Sequence, residues 1–153
     1  MPNLDATDAR ILLALNDRPR ATTIALADRV GLSRNTVQAR LGRIEDELAP
    51  YEQRVTPESL GYPLTAFVTT QVTQRRLDEV ADALADVPEV LAVHGVSGAD
   101  DLLVQVVAAD ADDLYRVAGR ILAVPGVERT HTALLMRRLV DYRVTPLLRH
   151  LAG

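Results

Sequence analysis

Apolar residues recur at helical spacing along the first third of the chain and at strand spacing beyond it, and the change of period divides the sequence. Ile11, Leu12 and Leu15 form the buried stripe of a first helix, which Leu4, Asp5 and Asp8 open as staple and cap and which ends before Pro19. Ile24, Leu26, Ala27 and Val30 give a second helix its apolar face. Gly31 then marks a sharp reversal, and Leu32 plugs the turn against the core. Ser33 caps a third helix whose Val37, Leu41 and Ile44 recur at i, i+4 and i+7. The stretch TTIALADRVGLSRNTVQARLGRI, residues 22–44, therefore reads as a helix-turn-helix within a three-helix unit.

A run of turn formers follows, APYEQRVTPESLGYP, in which Pro50, Pro57, Gly61 and Pro63 exclude a long helix and QRV is expected as a short strand. Beyond it the order reads strand (64–72), helix (75–85), strand (90–96), strand (102–108), helix (111–123), strand (127–136). Leu77, Val80, Ala81 and Leu84 face inward on the first of these helices, and Leu114, Val117, Ala118 and Ile121 on the second. ADVPEVLAVHGV and LAVPGVERTHTA each place Val-Pro-x-Val between a helix and a strand, a weak internal echo. The expected class is α+β: a three-helix (winged) helix-turn-helix head over 1–48, a linker over 49–63, and a βαββαβ ferredoxin-like sandwich over 64–153. Both helices of such a sandwich cover one sheet face. Alternating apolar residues on the other face are expected to be covered by a second copy of the sheet, which makes a homodimer.

The free side of the third helix carries the chemistry. Stepping about 100° per residue from the buried stripe puts Asn35, Thr36, Gln38, Ala39, Gly42 and Arg43 outward. Asn and Gln can pair with adenine, Arg can fork onto guanine or phosphate, and small residues let a helix approach the bases closely. Ser33, Arg34, Asn35, Thr36, Gln38, Ala39, Arg40 and Arg43 are therefore the candidate contacts to double-stranded DNA. From Ser33 to Ile44 there are three arginines and no acid, in a chain of net charge −4, so the positive charge is local. The alternative use of this unit is protein contact, as in a regulatory subunit that senses an amino acid and binds no nucleic acid.

Other classes find little support. There is no cysteine, which excludes disulfides and a thiolate nucleophile. His94, His131 and His150 lack metal-ligand spacing, no nucleophile elbow is present, and no phosphate loop is formed by Gly95 and Gly98. No catalytic, metal or cofactor site is expected. Asp110, Asp112 and Asp113 read as acids favoured at a helix start rather than a cation site. MPNLDATDAR has acids where a signal peptide needs a basic region, and no apolar run reaches membrane-spanning length, so a cytoplasmic protein with no membrane partner is expected.

The stretch SGADD lies between two apolar strands. Gly98 permits close backbone approach, turn amides can hold a carboxylate, and Asp100 or Asp101 can accept from an ammonium group, which together would suit an α-amino acid. Equally, Asp101 can simply stabilise the hairpin turn.

Taken in order, LDATDARIL, LADRVGLS, LGY, GxxDLL and VERTHT make the whole chain resemble the Lrp/AsnC, or feast/famine, transcriptional regulators. That resemblance implies regulation by a small effector bound at an assembly interface, dimers formed through the sheet, and frequent assembly into octamers as tetramers of dimers. It maps the hairpin motif onto Gly98 and Asp101, with Ala99 and Asp100 between, as the effector site. One departure concerns ELAPYEQ, which is shorter than the family's segment after the recognition helix and bears on the short strand beside the head.

Overall fold

The computed structural model describes residues 3–153. Its elements are α1 (Ala6–Asp17), α2 (Thr23–Val30), α3 (Arg34–Glu45), β1 (Leu64–Val72), α4 (Leu77–Ala85), β2 (Val90–Gly95), β3 (Leu102–Ala108), α5 (Ala111–Leu122), β4 (Val127–Leu134) and α6 (Thr145–Ala152). They form two compact units, one made of the chain up to Tyr51 together with Val140–Gly153, the other of Glu52–Leu139.

In the first unit Asp5 caps α1 by accepting from the amides of Thr7 and Asp8, and Asp8 returns a bond to the Asp5 amide, which completes a capping box. Ala14, Leu26, Ala27 and Val37 form the common core of the three helices, with Leu15, Val30, Leu32 and Leu41 packed around them. Gly31 ends α2 in the left-handed region at φ 69°, which lets the chain turn directly into α3. One expected core residue is displaced. Ile24 is 57 % exposed, because the inward side of α2 is set by Leu26 and Ala27 with Val30 one turn on.

The same unit contains an element the periodicity did not announce. Residues 140–153, expected within the C-terminal sandwich, group with the N-terminal helices, and α6 packs along α1. Pro146 in its first turn and Arg149 and His150 in its last are the local signals of that helix. The strand expected at QRV is likewise absent: Tyr51–Arg54 forms a 3-10 turn.

The second unit is the expected βαββαβ sandwich. Its sheet has the order β2-β3-β1-β4 with every pairing antiparallel. Val80 and Leu84 of α4 and Val117 and Ile121 of α5 pack on Ala66, Val68, Val72, Leu102, Val104 and Val106. The internal echo is a real structural repeat. Val87 and Val124 each donate to the preceding helix, at Leu84 and Ile121, and Val90 and Val127 each donate back to that valine. The two copies differ at the variable residue. Glu89 is buried and ion-paired to Arg116 and Arg120, whereas Gly126 adopts φ 105°.

The opposite sheet face carries Phe67, Thr69, Leu103, Gln105, Ala92, His94, His131 and Ala133 in register. At one end of it, residues 52–62 and the sheet enclose a groove of ≈ 760 Å³, so that Thr65 and Val107, although outward-facing, are buried.

Gly126 allows a sharp stability test. A Cβ there would lie 2.9 Å from Val80 Cγ2 and 3.2 Å from Arg76 Cβ, in a backbone conformation that L side chains avoid. Gly126→Ala is expected to cost about 2 kcal/mol or more. Gly61→Ala, at φ 91° but with open space around it, should cost only about 1 kcal/mol. Urea denaturation of the two variants checks the difference, and equal losses would contradict it.

Candidate nucleic-acid interface and effector loop

The second helix of the helix-turn-helix is held at its start by Ser33, whose hydroxyl accepts from the Thr36 amide and lies 2.7 Å from the Thr36 hydroxyl. Ser33, Arg34, Asn35, Thr36, Gln38 and Ala39 are all exposed, so the outward row expected from the period is present. Thr23, at the start of α2, donates to the Gln38 side-chain oxygen at 3.3 Å, which orients that carboxamide and leaves its nitrogen free.

Arg40 and Arg43 depart from the expected arrangement. One terminal nitrogen of Arg40 lies 2.7 Å from both Asp5 carboxylate oxygens and 2.9 Å from Asp8. Arg43 pairs with the other Asp8 oxygen and lies 3.6 Å from Asp5. Both guanidiniums are thus tied to α1, and Arg43, expected on the outer face, is paired there while its side chain stays 52 % exposed. The cause is Asp8, which is 0 % exposed and requires compensation where it lies. Arg40, and then the Asp8 and Thr7 amides, hold the Asp5 carboxyl well below the ordinary aspartate range. Because that value is lowered on folding, the stabilisation is complete above about pH 3.9, the unfolded-chain value, and is lost only as pH falls through the lowered one. Sequence spacing could not reveal these pairs, since their members lie 32 and 35 residues apart.

In the second unit, β2 and β3 are joined by residues 96–101, a loop closed by the Val96 amide donating to the Asp101 carbonyl at 2.9 Å. Gly98 sits at φ 128°, a conformation that favours glycine. Asp101 is the organiser of this loop. One carboxylate oxygen accepts from the Val72 amide at 2.8 Å, the other from the Gln74 side chain at 2.6 Å, and its own amide donates to Thr70. Gln71 donates to the Ala99 carbonyl at 2.8 Å, tying the loop to β1 a second time. Neither glutamine was singled out by the sequence pattern. With its oxygens so occupied, Asp101 shapes the turn; Gly98, Ala99 and Asp100 remain at the surface, and among the described residues Asp100 has no side-chain partner.

The other acids settle into structural roles. Asp110 caps α5, and Asp113 accepts from the Ala109 amide and from Arg116, contacts that lower its pKa. The His131 Nε2 lies 3.0 Å from Arg129, and no three His, Asp or Glu side chains gather as a metal site among the described residues.

The AsnC-type helix-turn-helix domain is matched over residues 4–45 and the Lrp/AsnC ligand binding domain over residues 65–145. The chain belongs to the Lrp/AsnC family. Family members similar to it include the proline dehydrogenase transcriptional activator of Rhizobium radiobacter, 33 % identical over 91 % of this chain and 93 % of that protein. The HTH-type transcriptional regulator FL11 of Pyrococcus horikoshii is 28 % identical over 88 % and 90 %. Among solved structures, a transcriptional regulator of Neisseria meningitidis in complex with L-Met superposes with a TM-score of 0.81 at 27 % identity, covering 97 % of this chain and 99 % of that one. A feast or famine regulatory protein from M. tuberculosis, complexed with L-methionine, gives 0.77 at 31 % identity over 92 % and 97 %. This Lrp/AsnC protein is accordingly a DNA-binding transcriptional regulator, in a family of regulators rather than enzymes.

Its loop geometry predicts the behaviour of Asp101. Asp101→Ala strands the part-buried Val72 amide and is expected to cost about 1–3 kcal/mol in urea denaturation, whereas Asp101→Asn, which keeps one acceptor, should lose less. An alanine variant as stable as the wild type would contradict the organising role.

Proposed function

We propose that this regulator binds double-stranded DNA in the cytoplasm as a homodimer, with α3 in the major groove, and that an amino acid bound at the β2–β3 loop modulates that binding. The observation that carries the DNA contact is the exposed row Arg34, Asn35, Gln38 and Ala39 on a helix otherwise committed to the core. Support for the effector comes from the two similar regulators solved with L-methionine. The loop's chemistry fits. The amides of residues 97–100 make no backbone bond among the described residues and can hold a carboxylate, while Asp100 can accept from the ammonium group. Asp101 then acts by holding the loop rather than by touching the ligand.

The dimer rests on the sheet face that α4 and α5 leave open, where Phe67, Leu103, Ala92 and Ala133 lie among polar neighbours. Among the described residues no helix is long and apolar enough to cross a membrane. Ligand coupling to DNA requires that the amino acid favour one assembly or one spacing of the two heads, for which about 1–3 kcal/mol suffices.

Selection of operator fragments from a random duplex pool should enrich a near-palindromic site with half-sites about one helical turn apart. On that site Gln38→Ala is expected to lose about 1–3 kcal/mol and to relax preference at one position per half-site. No enrichment, or a Gln38→Ala variant that binds like the wild type, would sink the recognition-helix assignment.

Calorimetric titration with the free amino acids should find a binder whose affinity falls at least tenfold in Asp100→Ala, with light scattering reporting a dimer or a multiple of dimers for both proteins. A monomer at micromolar concentration, or no amino acid bound, would refute the corresponding part of the reading.

A further inference from the structure

Two carboxylates and two guanidiniums meet where the N-terminus of α1 packs against the second half of α3. An arginine on a recognition helix serves DNA best when it is free to reach phosphate or guanine. Here Arg40 spends a single nitrogen on three carboxylate oxygens. Arg43 pairs with the same buried Asp8, and a buried charge stripped of its partner is costly, so neither arginine leaves it readily. The two positive charges of the second half of α3 are therefore matched by two negative charges of α1. Arg34, in the first turn of α3, is exposed and has no ion-pair partner among the described residues.

We propose that Asp5 and Asp8 are positioning residues for DNA recognition: by holding Arg40 and Arg43 they fix α3 against α1 and withdraw its second half from phosphate. The positive charge that α3 presents to a duplex is then concentrated at Arg34. This imposes a polarity on docking, because the leading end of the helix attracts the backbone and the trailing end is electrically quiet. It also restrains sequence-independent affinity, which depends on the number of phosphates neutralised. Asp5 suits the task through its position. As N-cap of α1 it is fixed by two backbone amides, so its carboxylate is already in place when Arg40 arrives.

The proposal rests on the DNA-binding reading, and the test separates the two. The intact protein is titrated against a fluorescently labelled duplex of mixed sequence between about 50 and 200 mM salt, over which one phosphate contact changes affinity by about 3.5-fold, a slope of about 0.9. Arg34→Ala should flatten the slope by one contact. Arg40→Ala should leave it at the wild-type value. Asp5→Asn keeps a good N-cap residue and leaves Asp8 as the one carboxylate between two arginines, so the unmatched positive charge should steepen the slope by about one contact and raise low-salt affinity. A purely structural role for Asp5 would not move the slope. Flattening by Arg40→Ala, a wild-type slope in Asp5→Asn, or a wild-type slope in Arg34→Ala would each overturn the proposal. Should Arg40→Ala fail to fold, Asp5→Asn decides alone. A wild-type protein with no salt-dependent binding to the duplex would overturn the DNA-binding reading itself.

Discussion

A carboxylate with no exposed surface inside a small helical unit persists only if positive charge is brought to it, and Asp8 makes that demand of everything around it. Its position is not negotiable, because it is both the third residue of α1 and half of a capping box. Arg40 and Arg43 must therefore point toward α1, and α3 must be rotated so that they do. With Val37 and Ile44 already buried on the inner side, the rotation of the helix is over-determined. Outward lie Arg34, Asn35, Gln38 and Ala39, with Gly42 and Arg43 farther along, so the exposed face of the helix is a by-product of satisfying an internal charge.

Acids act as organisers in the other unit as well. Asp101 gathers the Val72 amide, the Gln74 side chain and, through the loop closure, Val96 into one turn. Glu89, nearly buried at the helix-to-strand turn, draws Arg116 and Arg120 of α5 over the edge of the sandwich, and Arg116 lowers its pKa. In each case a short acidic side chain fixes a bend that apolar packing alone would leave free. The acidic balance of the chain is thus partly spent inside the fold rather than on solvation.

Most of the architecture was legible in the sequence because two periods, near 3.6 and near 2, map directly onto which side is buried. The capping box, Gly31, the two Val-Pro-x-Val turns and the stripes of α4 and α5 are local statements, and each is where the pattern put it. What the pattern does not carry are pairings between distant residues: the partners of Arg40, Arg43 and Asp101 lie 27 residues or more away and leave no periodic trace. Ile24 was misjudged because apolar character does not say which side of a short helix faces in. The segment before Leu64 lacks the alternation that a strand needs, and α6 carries only Leu147, Leu148 and Leu151 as an apolar stripe, behind a long run without period.

That last helix gives the molecule a timetable. The first unit is assembled from both ends of the described chain, with the whole second unit threaded between Tyr51 and Val140. On a ribosome adding about 5–20 residues per second, α1 waits about 7–27 s for α6 to be made. Throughout that interval the helices of the first unit lack one packing partner, while the sandwich emerges and folds. Completion of the DNA-binding unit is in this way deferred until the sandwich has been synthesised, and a chain cut short within the sandwich is released with that unit unfinished.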